Sequence, residues 1–347
     1  MQKMDMLSMT QKEWEEILKQ WGEPTFRAKQ IFDWLHKKHI TEIEDMTNIS
    51  KNLREKLKQY GVISGVKQVK KLVSQIDGTI KYLFEIEGGL VIESVLMRYH
   101  YGNTACISTQ AGCRMGCHFC ASTIDGIERN LTAGEMLAQI YEIQKDIEER
   151  ISSVVLMGSG EPLDNYDNVL RFIHLANDEK GLCLGQRHIT LSTCALVEKI
   201  YNLLEEDLQI TLAISLHAPN DEIRQSMMPV AKKYSIEEVL KACKEYSDKT
   251  KRRITFEYAL IKGVNDSDSC AQQLASKLHN MLCHINLIPV NTVKERDYIK
   301  SSEERVQKFA QIIEQRGIEV TVRRKLGSDI DAACGQLRRS YQKNNKM

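Results

Sequence analysis

Residues 105–120 read ACISTQAGCRMGCHFC, a short apolar segment followed closely by three cysteines. The run ACIST predicts a buried β-strand, because short apolar runs bounded by turn residues are typical of such strands. The cysteines follow this strand with the spacing Cys-x3-Cys-x2-Cys, at Cys113, Cys117 and Cys120. A strand that leads into a cysteine-rich loop therefore begins the main part of the chain, which we place at residues 98–347.

Strand-like and helix-like segments alternate after this stretch. The further predicted strands are SSVVLMG (152–158), HITLST (188–193), QITLAISL (209–216), RITFEYAL (253–260), HINLIPV (284–290) and EVTVRR (319–324). Capping boxes predict three helix starts, at Thr132 with Glu135, Ser235 with Glu238, and Ser301 with Glu304. Repeated β-α units favour a parallel sheet with helices outside it, and there are too few units for a closed eight-fold barrel. We predict an α/β fold built on an open, partial (β/α)6 barrel.

The first 97 residues have a different pattern. Apolar residues such as Trp14, Ile17 and Leu18 recur at helical spacing between residues 10 and 61. The segments KQVKKLVSQ and TIKYLFEIEGGLVIESVLMRY then alternate or run apolar, with Asp77-Gly78 and Gly88-Gly89 as turns, which predicts antiparallel strands. We interpret residues 1–97 as an N-terminal helical accessory domain with a small β-extension.

Composition limits the class of protein. The chain has 347 residues, a net charge of +1 and no apolar run that approaches the roughly 18 residues of a membrane span. Its N-terminus is polar and acidic, unlike a secretory signal, so we expect a cytoplasmic protein without membrane contact. Net charge alone gives no indication of nucleic acid, although basic residues cluster, for example at Arg323, Arg324 and Lys325.

The spacing of Cys113, Cys117 and Cys120 is typical of an iron–sulfur site, since such clusters are held by cysteine thiolates on short loops. Three thiolates on a [4Fe-4S] cluster leave one iron open to chelate S-adenosylmethionine, whose reductive cleavage releases a 5′-deoxyadenosyl radical. The alternative is structural zinc with His118 as fourth ligand. Zinc sites prefer paired Cys-x2-Cys elements, and His118 lies between two of the cysteines in a tight loop, so the cluster is favoured.

Polar residues at other strand ends support a cofactor site. The second strand ends in GSGEP, where Gly160 would let backbone approach a ligand and Glu161 could accept hydrogen bonds from the methionyl amine. The other candidates at strand ends are Ser192, Ser215, Leu216, His217 and Asn291. Because the carboxyl ends of parallel strands meet at one rim, we expect these residues to surround one cofactor.

Taken with these residues, the whole chain resembles the RlmN family, the dual-specificity ribosomal and transfer RNA adenine C2-methyltransferases. The resemblance rests on FRAKQIFDWLH, IESVLM, CISTQAGCRMGCHFC, GEPLDNYDNV, ITLST, ISLHAPND, NLIPVN and GSDIDAACGQLR. A related enzyme that methylates carbon 8 of the ribosomal adenine typically has GEA where this chain has GEP at residues 160–162, which favours carbon 2. The chain departs from the usual pattern at Cys194-Ala195 and at Ser159.

The resemblance implies a mechanism with two S-adenosylmethionine molecules. Cys334 would accept a methyl group from the first, and a radical generated from the second would activate that group to add to carbon 2 of adenine. Glu93 would accept the proton, and Cys106 would attack the sulfur of Cys334 to release the product and form a transient disulfide.

The resemblance also implies the partners. The substrates would be 23S rRNA, at the peptidyl-transferase centre, and tRNA, at the adenosine 3′ of the anticodon, and a flavodoxin or ferredoxin would donate electrons to a monomeric enzyme. Two alternatives remain at this point: a metal-stapled RNA-binding module without catalysis, and the carbon 8 enzyme.

Overall fold

The structure is a computed structural model that describes residues 3–289, 298–330 and Tyr341. The helices are α1 (Gln11–Gln20), α2 (Arg27–His36), α3 (Lys51–Tyr60), α4 (Ala133–Ile147), α5 (Tyr166–Asn177), α6 (Val197–Leu204), α7 (Asp221–Met227), α8 (Ile236–Thr250), α9 (Asp268–Leu278) and α10 (Glu303–Glu314). The strands are β1 (Met4–Asp5), β2 (Gly61–Val62), β3 (Lys67–Val73), β4 (Ile80–Ile86), β5 (Leu90–Tyr99), β6 (Gly102–Cys106), β7 (Gln110–Gly112), β8 (Ile127–Asn130), β9 (Ile151–Leu156), β10 (Ile189–Thr193), β11 (Thr211–Ser215), β12 (Ile254–Leu260), β13 (Cys283–Pro289) and β14 (Glu319–Val322).

One sheet of ten strands organises the molecule, in the order β14-β13-β12-β11-β10-β9-β6-β5-β4-β3. The seven strands from β6 and β9 to β14 run parallel, with helices in the connections between them. This confirms the predicted α/β fold with a mostly parallel open sheet, and all seven predicted segments contain strands.

The antiparallel strands β3, β4 and β5 are continuous with that sheet, because β5 pairs with β6 through Val95 and Cys106. Strand β5 is buried on both faces over most of its length. Ile92 and Leu96 face the main core, whereas Val95 and Met97 form a separate apolar cluster with Cys106. The segment predicted as a β-extension therefore lies within the central sheet and presents one face beside Cys106.

The N-terminal helices share a core with the rest of the chain. Trp14, Ile31 and Leu53, one from each of α1, α2 and α3, are fully buried in the same apolar cluster as Met136 of α4. No helix among the described residues is long and apolar enough to cross a membrane.

Two of the three predicted capping boxes are present, at Thr132 and Ser235. The third prediction is wrong: α10 is capped by Ser302, whose hydroxyl accepts from the Arg305 backbone N–H. Ser301 instead donates to Asp266 at 2.7 Å. The serine pair is ambiguous in sequence, and the partner from the β12–α9 loop decides which serine caps the helix.

Candidate active site

The cysteine loop is an excursion closed at its base by a two-stranded ribbon. Strands β7 and β8 pair on either side of it, and the Cys113 backbone N–H donates to Gly126 O at 3.0 Å. Gly112 at this closure has φ +81, and a Cβ there would lie 2.0 Å from Gly126 O. Only glycine fits, so the sequence AGC fixes the point at which the cysteine loop leaves the ribbon.

Hydrogen bonds to backbone carbonyl groups order the interior of the loop. Thr123 Oγ1 donates to Cys117 O and to Cys120 O, each at 3.0 Å. His118 Nδ1 lies 2.8 Å from Ser226 O, and the His118 backbone N–H donates to Met227 O. His118 thus attaches the loop to α7.

The three cysteines line one cavity of about 280 Å³. Its other walls come from the carboxyl ends of the parallel strands: Met157 and Gly158 after β9, Ser192 in β10, Ser215 in β11, Ala259 in β12, Ile288 in β13 and Arg323 after β14. Residues that follow β9 and β14 border the same space, so the sheet curls around the cavity.

The thiols have the surroundings expected of cluster ligands. Cys113 and Cys117 are 6% and 8% exposed. Burial raises the pKa of the Cys113 thiol to about 12, helped by the nearby Cys120, Glu161 and Asp164, and burial raises that of Cys117 well above its ordinary value. A cationic cluster would relieve this cost, because metal binding stabilises thiolates. The residues present therefore fit an iron–sulfur cluster.

Among the described residues, no group of three or more His, Cys, Asp or Glu side chains is arranged to hold a single metal ion. A four-iron cluster distributes its thiolate ligands over different irons, so it does not require the sulfurs to converge on one point.

The GSGEP turn packs tightly against the first parallel strand. A Cβ on Gly158 would lie 2.6 Å from Ile107 O, and one on Gly160, at φ +110, would lie 2.7 Å from Gln110 Cβ. The absence of a side chain at these two glycines therefore makes room for neighbouring atoms of the same chain. Both glycines also border the cavity. Glu161 is 4% exposed and accepts from the Cys194 and Leu163 backbone N–H groups. Burial nevertheless raises its pKa.

His217 lines the cavity in its neutral form. Its Nδ1 accepts from the Ala259 backbone N–H at 2.9 Å, so the proton of the neutral ring is on Nε2. Burial and the nearby, fully buried Arg224 lower its pKa to about 3. The backbone of His217 has φ +57, and Asn265 Nδ2 donates to its carbonyl at 2.7 Å. His217 can therefore donate a hydrogen bond at any physiological pH.

Glu257 is a site residue that the sequence analysis missed. It lines the cavity, is 3% exposed and accepts from Asn286 Nδ2 at 2.8 Å. Burial raises its pKa to about 7, opposed by Arg323 and by the bond from Asn286. The signal was a carboxylate within the apolar strand RITFEYAL, since ionisable groups in buried strands are candidates for functional sites.

A second group of predicted residues lies on β5 and β6. Glu93 is 4% exposed and forms an ion pair with the fully buried Lys81, with 3.3 Å between Oε2 and Nζ. Cys106 pairs with Val95, two residues from Glu93 on the same face of β5. Such diagonal neighbours are about 7–8 Å apart, so Glu93 and Cys106 share one local surface.

This surface adjoins the cysteine-lined cavity. Met157, which borders the cavity, also packs against the cluster of Val95, Met97 and Cys106. Leu326 packs against the same cluster from the C-terminal segment. Of the other predicted site residues, Leu216 is buried in the main core, and Asn291 and Cys334 lie outside the described residues.

Comparisons with known proteins agree with this arrangement. The Radical SAM superfamily matches residues 107–270, and the “Ribosomal RNA large subunit methyltransferase N-terminal domain” matches residues 4–63. A solved radical SAM methyltransferase from Sphaerobacter thermophilus is similar with a TM-score of 0.91 and 43% identity, over 96% of this chain and 98% of that one. The partial barrel and its cysteine loop thus define a radical S-adenosylmethionine enzyme, a class that implies an iron–sulfur cluster and S-adenosylmethionine.

Curated relatives narrow the class. A “probable dual-specificity RNA methyltransferase RlmN” of Clostridium novyi (strain NT) is 58% identical over 98% of this chain and 99% of its own length. The protein of the same name from Alkaliphilus oremlandii (strain OhILAs) is 58% identical over 99% of this chain and 100% of its own length. The chain belongs to the RlmN family of methyltransferases.

Proposed function

We propose that this enzyme methylates carbon 2 of adenine in 23S rRNA, at the peptidyl-transferase centre, and in tRNA, at the adenosine 3′ of the anticodon. The observation that carries the proposal is the adjacency, through Met157, of the three-cysteine cavity and the cluster that contains Cys106. The names of the relatives, which specify a dual-specificity RNA methyltransferase, support two RNA substrates.

The chemistry requires a radical because carbon 2 of adenine is electron-poor and cannot attack a methyl sulfonium. When bound, a [4Fe-4S] cluster with S-adenosylmethionine would supply the 5′-deoxyadenosyl radical that removes a hydrogen atom. Cys113, Cys117 and Cys120 would hold the cluster. Glu161 would accept from the methionyl amine, and the Nε2–H of His217 would donate to the cofactor, with Gly160, Ser192, Ser215, Leu216 and Asn291 completing its site.

The remaining steps are assigned to Cys334, Glu93 and Cys106. The Cys334 thiolate takes a methyl group from S-adenosylmethionine by displacement, and that group later adds to carbon 2 as a methylene radical. Glu93 accepts the proton lost from the radical adduct, whose unpaired electron the bound cluster would take up, and the ion pair with Lys81 holds the carboxylate in place inside the protein. The Cys106 thiolate then attacks the Cys334 sulfur, which breaks the carbon–sulfur bond and leaves a Cys106–Cys334 disulfide. The methylene carbon that is released with the bonding electron pair takes a proton and becomes the methyl group on carbon 2.

RNA binding is assigned to the N-terminal helices and to basic residues elsewhere on the surface. Lys29, Lys37 and Lys38 of the α2 region are exposed, and Lys38 Nζ lies 3.4 Å from the Trp34 ring centroid. Neutralising one phosphate-binding lysine should lower the log–log salt slope of RNA binding by roughly 0.7–0.9. Point variants are preferable to truncation, because the N-terminal helices share the main core.

The proposal includes further partners. A flavodoxin or ferredoxin would reduce the cluster. The enzyme would act as a monomer, and it would act in the cytoplasm, where its two RNA substrates are found.

The direct test is mass spectrometry of nucleosides after anaerobic incubation with 23S rRNA and tRNA fragments, S-adenosylmethionine and a reduced flavodoxin. We expect 2-methyladenosine in both RNAs. Formation of 8-methyladenosine would assign the chain to the related carbon 8 activity, and a lack of any methylated base in a cluster-loaded protein would contradict the proposal.

Cysteine variants test the assigned roles. Cys106→Ala should become methylated on Cys334 and then remain covalently attached to RNA on a denaturing gel, because no thiol releases the adduct. Cys334→Ala should give no adduct although it binds iron, and Cys113→Ala should bind no iron. Cys243→Ala is the matched control, since this cysteine is fully buried in the main core. A Cys106→Ala protein that is methylated on Cys334 and forms no RNA-linked band would contradict the resolving role.

A further inference from the structure

Two aspartates join the C-terminal segment to the turn between β3 and β4. The Gly327 backbone N–H donates to Asp77 Oδ2 at 2.8 Å. In the opposite direction, Asp329 Oδ1 accepts from Ser74 Oγ at 2.7 Å, and Asp329 Oδ2 accepts from the Gln75 backbone N–H at 2.9 Å. Each segment thus contributes a carboxylate to the other across about 250 residues of sequence.

The turn that receives the segment is itself well ordered. Ser74 Oγ accepts from the Ile76 and Asp77 backbone N–H groups at 3.2 and 3.3 Å, and Asp77 Oδ1 accepts from the Thr79 N–H at 2.9 Å. Ser74 is 3% exposed and Thr79 is fully buried. The turn therefore offers a fixed attachment point at the end of the central sheet.

Both carboxylates have the electrostatic surroundings of ionised hydrogen-bond acceptors. Burial alone would raise the pKa of Asp77, but the hydrogen bonds from Gly327 and Thr79 outweigh it and lower the pKa. Bonds from the Ser74 hydroxyl and the Gln75 N–H lower the pKa of Asp329. Charge-assisted hydrogen bonds of this kind are stronger than bonds between neutral groups.

The attached segment lies against Cys106. Leu326, directly before Gly327, packs on the cluster formed by Val95, Met97 and Cys106. Cys334 is the fourth residue after Ile330, and four steps along an extended chain span at most about 14 Å. The attachment therefore sets the point from which the chain continues to Cys334.

We propose that this contact, here called the aspartate clamp (Ser74, Gln75, Asp77, Gly327 and Asp329), positions the C-terminal segment so that Cys334 meets Cys106. The inference rests on the proposed function, in which these two cysteines exchange a bond. The clamp residues are positioning residues that touch no reacting atom. By restricting the C-terminal segment, they raise the effective concentration of the Cys334 thiol at Cys106.

The test is a thiol–disulfide equilibrium measured on the cluster-loaded full chain under anaerobic conditions. Glutathione disulfide is the oxidant: two successive exchanges convert Cys106 and Cys334 to a disulfide and release two glutathione thiols. Peptide mass spectrometry at several glutathione ratios gives the effective concentration of the pair without any turnover. RNA methylation by the same preparations is measured in parallel.

Asp77→Ala and Asp329→Ala should each lower this effective concentration about tenfold, the effect of losing one charge-assisted hydrogen bond. The corresponding Asp→Asn variants, which keep a neutral acceptor, should restore part of the loss. Asp248→Ala, at an exposed position on α8, should leave it unchanged. Asp329 is itself exposed, so its variants keep the test decisive even if Asp77→Ala disturbs folding.

Effective concentrations within twofold of wild type in both Asp329 variants would overturn the clamp, while 2-methyladenosine formed by the wild type would leave the proposed function standing. If the wild-type chain forms neither a Cys106–Cys334 disulfide nor 2-methyladenosine, the proposed function fails, and the clamp fails with it.

Discussion

Glu257→Gln should stabilise the protein at alkaline pH and leave its stability almost unchanged at acidic pH. Glu257 is 3% exposed, and its burial raises the pKa in the folded protein to about 7 from an ordinary value of 4.5. Glutamine keeps the shape and can still accept the hydrogen bond from Asn286, but it carries no charge at any pH.

The sign follows from proton binding. Because the pKa of Glu257 is raised in the folded protein, the folded protein binds more protons than the unfolded chain between pH 4.5 and about 7. The contribution of Glu257 to stability is therefore fully present below pH 4.5 and is lost as pH rises through 7. The difference of about 2.5 pKa units corresponds to about 3 kcal/mol. The free energy of unfolding of Glu257→Gln should therefore exceed that of wild type by about 3 kcal/mol at pH 8 and by far less at pH 4.5.

Urea unfolding of both proteins at several pH values, in the same cluster state, measures this difference. Glu179→Gln, at an exposed position in the loop after α5, is the matched control and should stay within about 0.5 kcal/mol of wild type throughout. A Glu257→Gln protein whose advantage does not grow with pH would show that the Glu257 carboxyl does not bear the burial cost assigned to it.

Three further predictions follow from single contacts. Lys81→Met and Glu93→Gln should each cost about 3–5 kcal/mol of stability by breaking a buried ion pair, whereas the double variant should lose at least about 1 kcal/mol less than the sum. Additive costs would mean that the two side chains are not coupled. Gly112→Ala should reduce bound iron, measured by absorbance, because its Cβ would lie 2.0 Å from Gly126 O at the base of the cysteine loop; normal iron content would refute this. Thr132→Ala should cost about 1 kcal/mol in urea unfolding through loss of the α4 cap, and an unchanged midpoint would show that the cap adds nothing.

Much of the architecture could be predicted because it depends on local pattern. The alternation of strands and helices, the turns at Asp77-Gly78 and Gly88-Gly89, and two capping boxes are properties of neighbouring residues, and the structure contains all of them. The cap of α10 was misplaced because Ser301 with Glu304 matches the capping-box pattern, whereas in the structure Ser301 donates to Asp266 and Ser302 caps the helix.

The candidate site, too, could be predicted only in part from the sequence. Sequence alone determined the cysteine spacing and the polar residues at the strand ends, since a parallel sheet brings those ends to one rim whatever its detailed shape. Only the tertiary structure decided that Glu257 lines the cavity, that Lys81 pairs with Glu93, and that Asp77 and Asp329 join segments about 250 residues apart. The physical reason is that these contacts depend on the curl and register of the sheet. The curl and the register are set by packing between elements that are distant in the chain, so they cannot be predicted from the spacing of residues within one segment.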